Sequence, residues 1–343
     1  MKLTLIALLL PLMSQAANYS AKTATVDGVD VVLLSDPSHN TEVTVLPSIG
    51  NMAYRMVVNG KNAFYTPTQD LAALKAKPAM GGVPFLWPWA NRIDQPAFYA
   101  NGKKYSFDLE LGNLRRDGNQ QPIHGLVTYS PLWKVTSMQA NDSAAWVTSR
   151  LEFWKSPDLM KQFPFAHTVD MTYRLSNGVL EVETAVQNHS TEAMPIVAGF
   201  HPYYQVHDAP REEWTIQIPA RDRMTLSPKL VPTGERTPVT TLDPLPIKGI
   251  SFDDVYTNLK PGPNGRSEFW VKGKNEKVTV AYGPKYTTGV IYSLPSRNYI
   301  CFEPMTGITN GVNLAHAGVY KELQSIPAGG QWRESFWIST AGF

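Results

Sequence analysis

The chain has 343 residues, 43% of them hydrophobic, enough to build a large core without crosslinks. A formal net charge of +2, with no basic block and no acidic tail, argues against nucleic acid or an anionic membrane surface as partner. The single cysteine, Cys301, excludes an intrachain disulfide and any thiolate-rich zinc site.

Residues 1–16 read as a secretory signal peptide. Lys2 supplies the positive start, and Leu3 to Met13 is an apolar run too short to span a bilayer. Ser14-Gln15-Ala16 offers small residues at both ends of a cleavage tripeptide, which places cleavage after Ala16. No cysteine follows the run, so no lipoprotein anchor is expected. The alternative is a disordered apolar N-terminus. The expected product is a periplasmic or secreted protein with no membrane attachment after cleavage, comprising one domain over 17–343.

Strand and turn signals then recur along the chain. Asp27-Gly28, Asn59-Gly60, Asn101-Gly102 and Asn177-Gly178 each sit between strand-like runs, and these dipeptides suit two-residue turns with both φ positive. Leu180, Val182, Thr184 and Val186 alternate with Glu181 and Glu183, the pattern of a half-buried strand. Further strands are predicted at 41–46, 52–58, 145–154, 167–175, 214–218, 277–282, 288–294 and 334–340. A short helix is predicted from Thr68 to Lys77, capped by Thr68 and ended by Pro78, and a single turn at Ser156-Pro157-Asp158. The Pro-rich stretch 228–246 reads as a long loop. No linker or repeat divides the chain. The fold class is all-β: one large sandwich or barrel.

No Walker loop, dinucleotide glycine fingerprint, Gly-x-Ser-x-Gly elbow or His-Glu-x-x-His helix is present. The chemistry must come from isolated polar residues in aromatic surroundings. Arg92 follows Trp87-Pro88-Trp89-Ala90-Asn91. Arg beside Trp suits a sugar site, where aromatic faces stack on pyranose C–H groups and the guanidinium donates to hydroxyls. Core tryptophans with an Arg in a structural ion pair are nearly as good a reading. His124 lies before Gly125 at a loop boundary, either as a turn residue or in a site. His201 sits in Gly199-Phe200-His201-Pro202-Tyr203-Tyr204, where glycine and proline mark a strand ending in a fixed turn. A His held there is a candidate acid or base, or a satisfied buried His. Phe252-Asp253-Asp254 carries paired carboxylates, or an Asx-turn.

Asn298-Tyr299-Ile300-Cys301-Phe302-Glu303-Pro304 reads as a strand stopped by its proline. Alternation places Tyr299, Cys301 and Glu303 on one face and Ile300 and Phe302 on the other. A carboxylate on so apolar a strand needs donors, a raised pKa or both, and is a candidate general base. A Glu at an exposed strand end is the plainer alternative. Cys301 is expected to be a buried small hydrophobe rather than a catalytic thiol.

Together these stretches resemble the aldose 1-epimerase (mutarotase) family. The features that carry the resemblance are Asn91-Arg92-Ile93, His124-Gly125, Gly199-Phe200-His201-Pro202-Tyr203, Phe252-Asp253-Asp254, and Cys301-Phe302-Glu303-Pro304 followed by Asn310 to Asn313. They span roughly 40–340. The resemblance implies a galactose-mutarotase-like antiparallel β-sandwich. It implies that Glu303 takes the proton from the anomeric hydroxyl, that His201 protonates the ring oxygen, and that Arg92, His124 and Asp253 bind the sugar, with Asp254 as the fallback for Asp253. It implies a small-molecule sugar substrate, no cofactor, no metal, and a monomer or weak dimer. Two departures stand out. Leu126 replaces a second glycine after His124-Gly125, and the Trp-rich lead-in to Arg92 resembles the hexose-6-phosphate epimerase branch.

Anomer interconversion needs only a base and an acid on opposite sides of C1, so the parts suit it. The pH profile is expected to have an acidic limb from Glu303 and an alkaline limb from His201, as a coupled pair. Three rivals stand beside it. Hexose-6-phosphate epimerisation would use Arg115-Arg116 or Lys103-Lys104 for the phosphate. A silent carbohydrate-binding protein would need Arg92 and the aromatics but not both Glu303 and His201. A metal enzyme would ligate through His124, His201, Asp253 and Glu303. His39, His167, His189, His207 and His316 are expected to be structural or surface residues.

Overall fold

The structure, a computed structural model, describes residues 19–343; the expected signal segment lies outside them. Strands make up 48% and helices 9% of it, in antiparallel sheets, as the alternation in the sequence requires. All four Asx-Gly dipeptides close two-residue hairpins with both φ positive, for example 51° and 73° at Asp27-Gly28 and 50° and 69° at Asn177-Gly178. In Val179–Asn188, Leu180, Val182, Thr184 and Val186 are buried while Glu181 and Glu183 stay half-exposed. Among the described residues no helix is long and apolar enough to cross a membrane.

Two large sheets define the layers. The nine-stranded sheet runs from Leu245–Pro246 at one edge to Lys134–Ala140 at the other, with Lys277–Tyr282, Gln331–Ala341 and Val179–Asn188 at its centre. The eight-stranded sheet runs from Pro232–Pro238 through Ala220–Leu226, Phe252–Leu259, Thr288–Ser293, Ile300–Met305 and Gly199–Phe200 to Phe85–Leu86, with Tyr203–Tyr204 also paired to Ile300–Met305. A five-stranded sheet over Ser20–Asn62 stands beside them.

Ile300–Met305 is interior to the second sheet. Its Ile300 and Phe302 enter the main core, where Phe302 meets Phe269 of the nine-stranded sheet at 5.8 Å between ring centroids. Phe269 also fills the space over Gly289 on the neighbouring strand. A Cβ there would lie 2.4 Å from Phe269 Cζ, so Gly289→Ala is an overpacking change costing about 1–3 kcal/mol. Tyr299 and Cys301 face the other way and pack with Tyr203. The predicted division of faces is thus the observed one.

Three local readings are corrected, and one helix had gone unread. Pro304 does not stop the strand: it pairs with Gly289, and the ladder continues to Met305 opposite Thr288. The stretch 228–246 is not all loop. Pro232–Pro238 is a strand, and its prolines are tolerated because it lies at the sheet edge, where a missing N–H costs no ladder bond. The first helix is Leu71–Ala76, and its cap is Asp70, which accepts from Ala73 N; Thr68 instead accepts from Asp70 N. The helix Gly311–His316 carried no readable signal, because its buried residues are Gly311, Val312 and Asn313 rather than an apolar stripe.

Candidate active site

The site is built where the eight-stranded sheet is interrupted. Gly199 pairs with Met305 and Tyr203 with Cys301, so the register on both sides sets His201 opposite Glu303. Pro202 has no N–H, which breaks the ladder there. Gly199 is needed for the close approach, since a Cβ would lie 2.8 Å from Met305 Cγ and 2.9 Å from Ala90 Cβ. The outcome is a contact of 3.4 Å between His201 Nε2 and Glu303 Oε1, with Glu303 only 1% exposed.

His124 reaches the same place from a strained turn. Its φ is 63°, and its N–H donates to Asn91 O at 2.9 Å. Gly125 lets that turn press on Trp87, whose carbonyl oxygen would lie 2.2 Å from any Cβ. Leu126, where a second glycine was expected, keeps an ordinary φ and donates its N–H to Trp87 O at 2.7 Å. The His124 ring stands 5.3 Å from His201 at 83°. Arg92 donates from Nη2 to Asp253 Oδ2 at 3.4 Å, from Nη1 to Asn91 Oδ1 at 3.0 Å and from Nε to Asp117 Oδ2 at 2.9 Å.

Asp253 shares a row with Tyr292 and Cys301 on the pocket face, whereas Asp254 shares a row with Ile291 and Phe302 on the opposite face and pairs with Arg223 at 3.5 Å. The paired carboxylates are therefore split between two faces of one strand, and no Asx-turn forms.

All five candidates, Arg92, His124, His201, Asp253 and Glu303, line one cavity of about 230 Å³, walled by Met80, Ile123 and three tyrosines, Tyr203, Tyr292 and Tyr299. The Tyr203 ring lies parallel to His201 at 4.8 Å. A larger cavity of about 380 Å³ opens at the far end of the same strands, but its only charged residues, Arg236 and Glu322, pair with each other and it contains no His.

Burial sets the electrostatics. It pushes Glu303 well above the usual carboxylate range, with Asp253 adding and Arg92 offsetting. It lowers His201 to about 3, and Arg115 and Arg92 push the same way. His124 is also held well below its usual value by burial, then by His201 and Arg115. Asp253 is raised by burial against the pull of Arg92. Both shifts run against a charged pair: burial favours a protonated carboxyl on Glu303 and a neutral ring on His201. Glu303 Oε2, His201 Nδ1 and His124 Nδ1 are buried without a partner. Such open capacity at a cavity wall is what a polyhydroxylated ligand would satisfy.

Several readings change. Trp87 and Trp89 are core residues, 0% and 3% exposed, and line no part of this cavity; the tyrosines take the aromatic role. Cys301 is fully buried, and burial holds its thiol well above the usual range. Arg115 reaches the rim, with Nη1 3.6 Å from Met80 Sδ, whereas Lys103 pairs with Glu192 away from the cavity. Among the described residues no group of three or more His, Cys, Asp or Glu is arranged to hold a metal ion, the four ligands of the metal reading included. None of the other five histidines lines the cavity. Tyr299 was open to the sequence, because strand alternation puts it on the face of Cys301 and Glu303; Tyr292 was not, because it meets Asp253 only through the register between two strands. Asp117 was not, since nothing local separates it from an ordinary Asx-turn.

A model of the aldose 1-epimerase family matches residues 29–339, most of the chain. A galactose mutarotase-like protein from Clostridium acetobutylicum has the same fold, with a TM-score of 0.84 at 21% identity over 94% of this chain and 98% of that one. A galactose 1-epimerase from Lactobacillus acidophilus matches with a TM-score of 0.73 at 14% identity, over 95% and 100%. On the match over 29–339, the chain belongs to the aldose 1-epimerase family.

Proposed function

We propose that the protein interconverts the α and β anomers of free aldohexoses such as glucose and galactose. The observation that carries this is the buried contact of 3.4 Å between His201 Nε2 and Glu303 Oε1, facing a cavity that also presents Arg92 and Asp253. The pair works with one proton. Before reaction, the sugar hydroxyl at C1 donates to Glu303, and hydrogen bonding to the carboxylate favours the charged tautomer, with the proton on His201. Glu303 then takes the O1 proton, His201 gives its proton to the ring oxygen, the C1–O5 bond breaks and C1=O1 forms. The pair is now neutral, the form that burial favours. Rotation about C1–C2 and the reverse transfers close the ring on the other face. Arg92 and Asp253 hold hydroxyls meanwhile, and His124 polarises the anomeric end.

Ring opening converts a buried ion pair into a neutral pair, so the low-dielectric surroundings assist the step. Polarimetry of fresh α-D-glucose and α-D-galactose tests the reading; rates equal to buffer on both would refute it. One observation favours a second reading, a hexose 6-phosphate substrate: Arg115, at the rim, makes no ion pair among the described residues. Comparing rates on free and 6-phosphorylated hexoses decides between them. Sugar binding without turnover would instead favour a carbohydrate-binding protein. Export with cleavage after Ala16 belongs to the same proposal, and a secreted chain still starting at Met1 would refute it.

A further inference from the structure

Behind the pocket wall lies a carboxylate whose two oxygens do different jobs. The Asp117 side chain is 10% exposed. Its Oδ2 accepts from Arg92 Nε at 2.9 Å. Its Oδ1 accepts from the backbone N–H groups of Asn119 and Gln121, both at 2.9 Å. The backbone closes the same turn: Asp117 N donates to Gln121 O and Gln120 N to Asp117 O, each at 3.0 Å, while Ile123 N donates to Arg115 O at 3.0 Å. Residues 115–123 therefore form a small hairpin with one carboxyl group at its centre, and its stem leads directly into His124.

The geometry constrains Arg92 tightly. A guanidinium is planar, so two fixed contacts set its plane. Here they are Nε to Asp117 at 2.9 Å and Nη1 to Asn91 at 3.0 Å. Nη2 is then left facing Asp253 and the cavity. The Asp253 contact alone is too weak for the task, being 3.4 Å long and made to a side chain 32% exposed. The hairpin is tied to the Arg92 segment by backbone as well, through Ile93 N to Pro122 O and His124 N to Asn91 O, each at 2.9 Å. One carboxyl thus governs both the orientation of Arg92 and the turn that ends at His124.

We propose that Asp117 is a positioning residue for the reaction: it fixes the Arg92 guanidinium against the sugar and keeps the Arg92 and His124 walls in one register. It lines no part of the cavity and touches no reacting atom. The kinetic consequence rests on the aldose reading of this pocket; the placement of Arg92 does not.

Asp117→Asn separates the two jobs. Its amide oxygen still accepts from Asn119 and Gln121, but its NH₂ meets the Arg92 Nε–H donor to donor. The expected variant melts near the parent temperature and shows KM raised about 10–100-fold, the scale of a displaced positioning group. Arg92→Lys lacks the Nε–H, so the double variant should be no worse than Arg92→Lys alone. The Arg92 Nε–H signal in ¹⁵N NMR should be protected from exchange in the parent and unprotected in Asp117→Asn, with no sugar present. Losses that multiply in the double variant, or a protected Nε–H in Asp117→Asn, overturn the proposal. Asp117→Ser, which keeps a short acceptor for the turn and cannot reach Arg92, substitutes if the Asn variant does not fold. Failure of both to fold overturns it too, because Asp117 would then serve the fold. A parent inactive on every aldose, with the NMR result as expected, would sink the aldose reading and leave the placement of Arg92 standing.

Discussion

Two buried histidines in this molecule are alike in burial and unlike in everything else. Burial lowers both His167 and His201 to about 3. His167 is satisfied on both nitrogens. Trp87 Nε1 can only donate, so His167 Nε2 accepts it at 2.8 Å, and the proton sits on Nδ1, 2.6 Å from Phe165 O. Its ring packs on Phe153 at 4.2 Å and lines no part of the candidate site. His201 has a bare Nδ1, a carboxyl group at Nε2 and a cavity in front. A displaced pKa therefore does not single out a site here. What separates the two histidines is open hydrogen-bonding capacity beside a carboxyl partner at a cavity.

The largest effect is expected at the carboxyl partner. Glu303→Gln keeps the shape and loses the proton acceptor, so polarimetric turnover should fall by about 10⁴-fold, the upper range for a positioned acid or base, while calorimetry still detects sugar binding. Full turnover in this variant would remove Glu303 from the mechanism. His201→Asn should cost about 10²-fold or more on the same scale. A near-normal rate there would promote His124.

The pH–rate profile of the parent should be a bell. The acid limb marks a second proton entering the pair at His201, and the alkaline limb marks the only proton leaving Glu303. A rate that keeps rising through the alkaline range would contradict the one-proton pair. Asp253→Asn should raise KM about tenfold, and Asp254→Asn should change it little, since Asp254 faces away. The reverse result would assign the sugar to the wrong strand face.

The smallest effect belongs to the satisfied histidine. His167→Leu should leave kcat unchanged and lower stability by roughly 1–3 kcal/mol through the orphaned Trp87 N–H. His167 has its folded pKa depressed, so the stability it contributes is present above about 6.5, its unfolded value, and is lost as pH falls toward about 3. The Leu variant should accordingly unfold less steeply with acid. Melting curves across that range check it.

The contrast between the histidines also marks what was legible in the sequence. Period-two patterns and Asx-Gly turns are local, and they showed the all-β class, the hairpins and the two faces of the strand bearing Glu303. The site residues were marked by glycine and proline neighbours, as at Gly199-Phe200-His201-Pro202. Nothing local distinguished Trp87 as a core donor from Trp87 as a sugar platform, because that depends on His167 some 80 residues away. Asp117 was silent for the same reason: its partner, Arg92, is reached only through tertiary structure. The Pro-rich strand Pro232–Pro238 escaped notice because the sheet edge relaxes the pattern that marks a strand, and Ala220–Leu226 beside it because its residues are mostly polar and half-exposed.

The lone thiol gives the molecule a built-in reporter. Cys301 lies fully buried two residues before Glu303 on the same strand face, beneath Tyr203 and Tyr299. A thiol reagent can reach it only when that part of the sheet opens, and no other sulfhydryl competes for the label. The labelling rate of native protein therefore times the breathing of the floor of the pocket. A bound sugar that braces Glu303 should slow it, which would let occupancy be followed by mass spectrometry without any turnover.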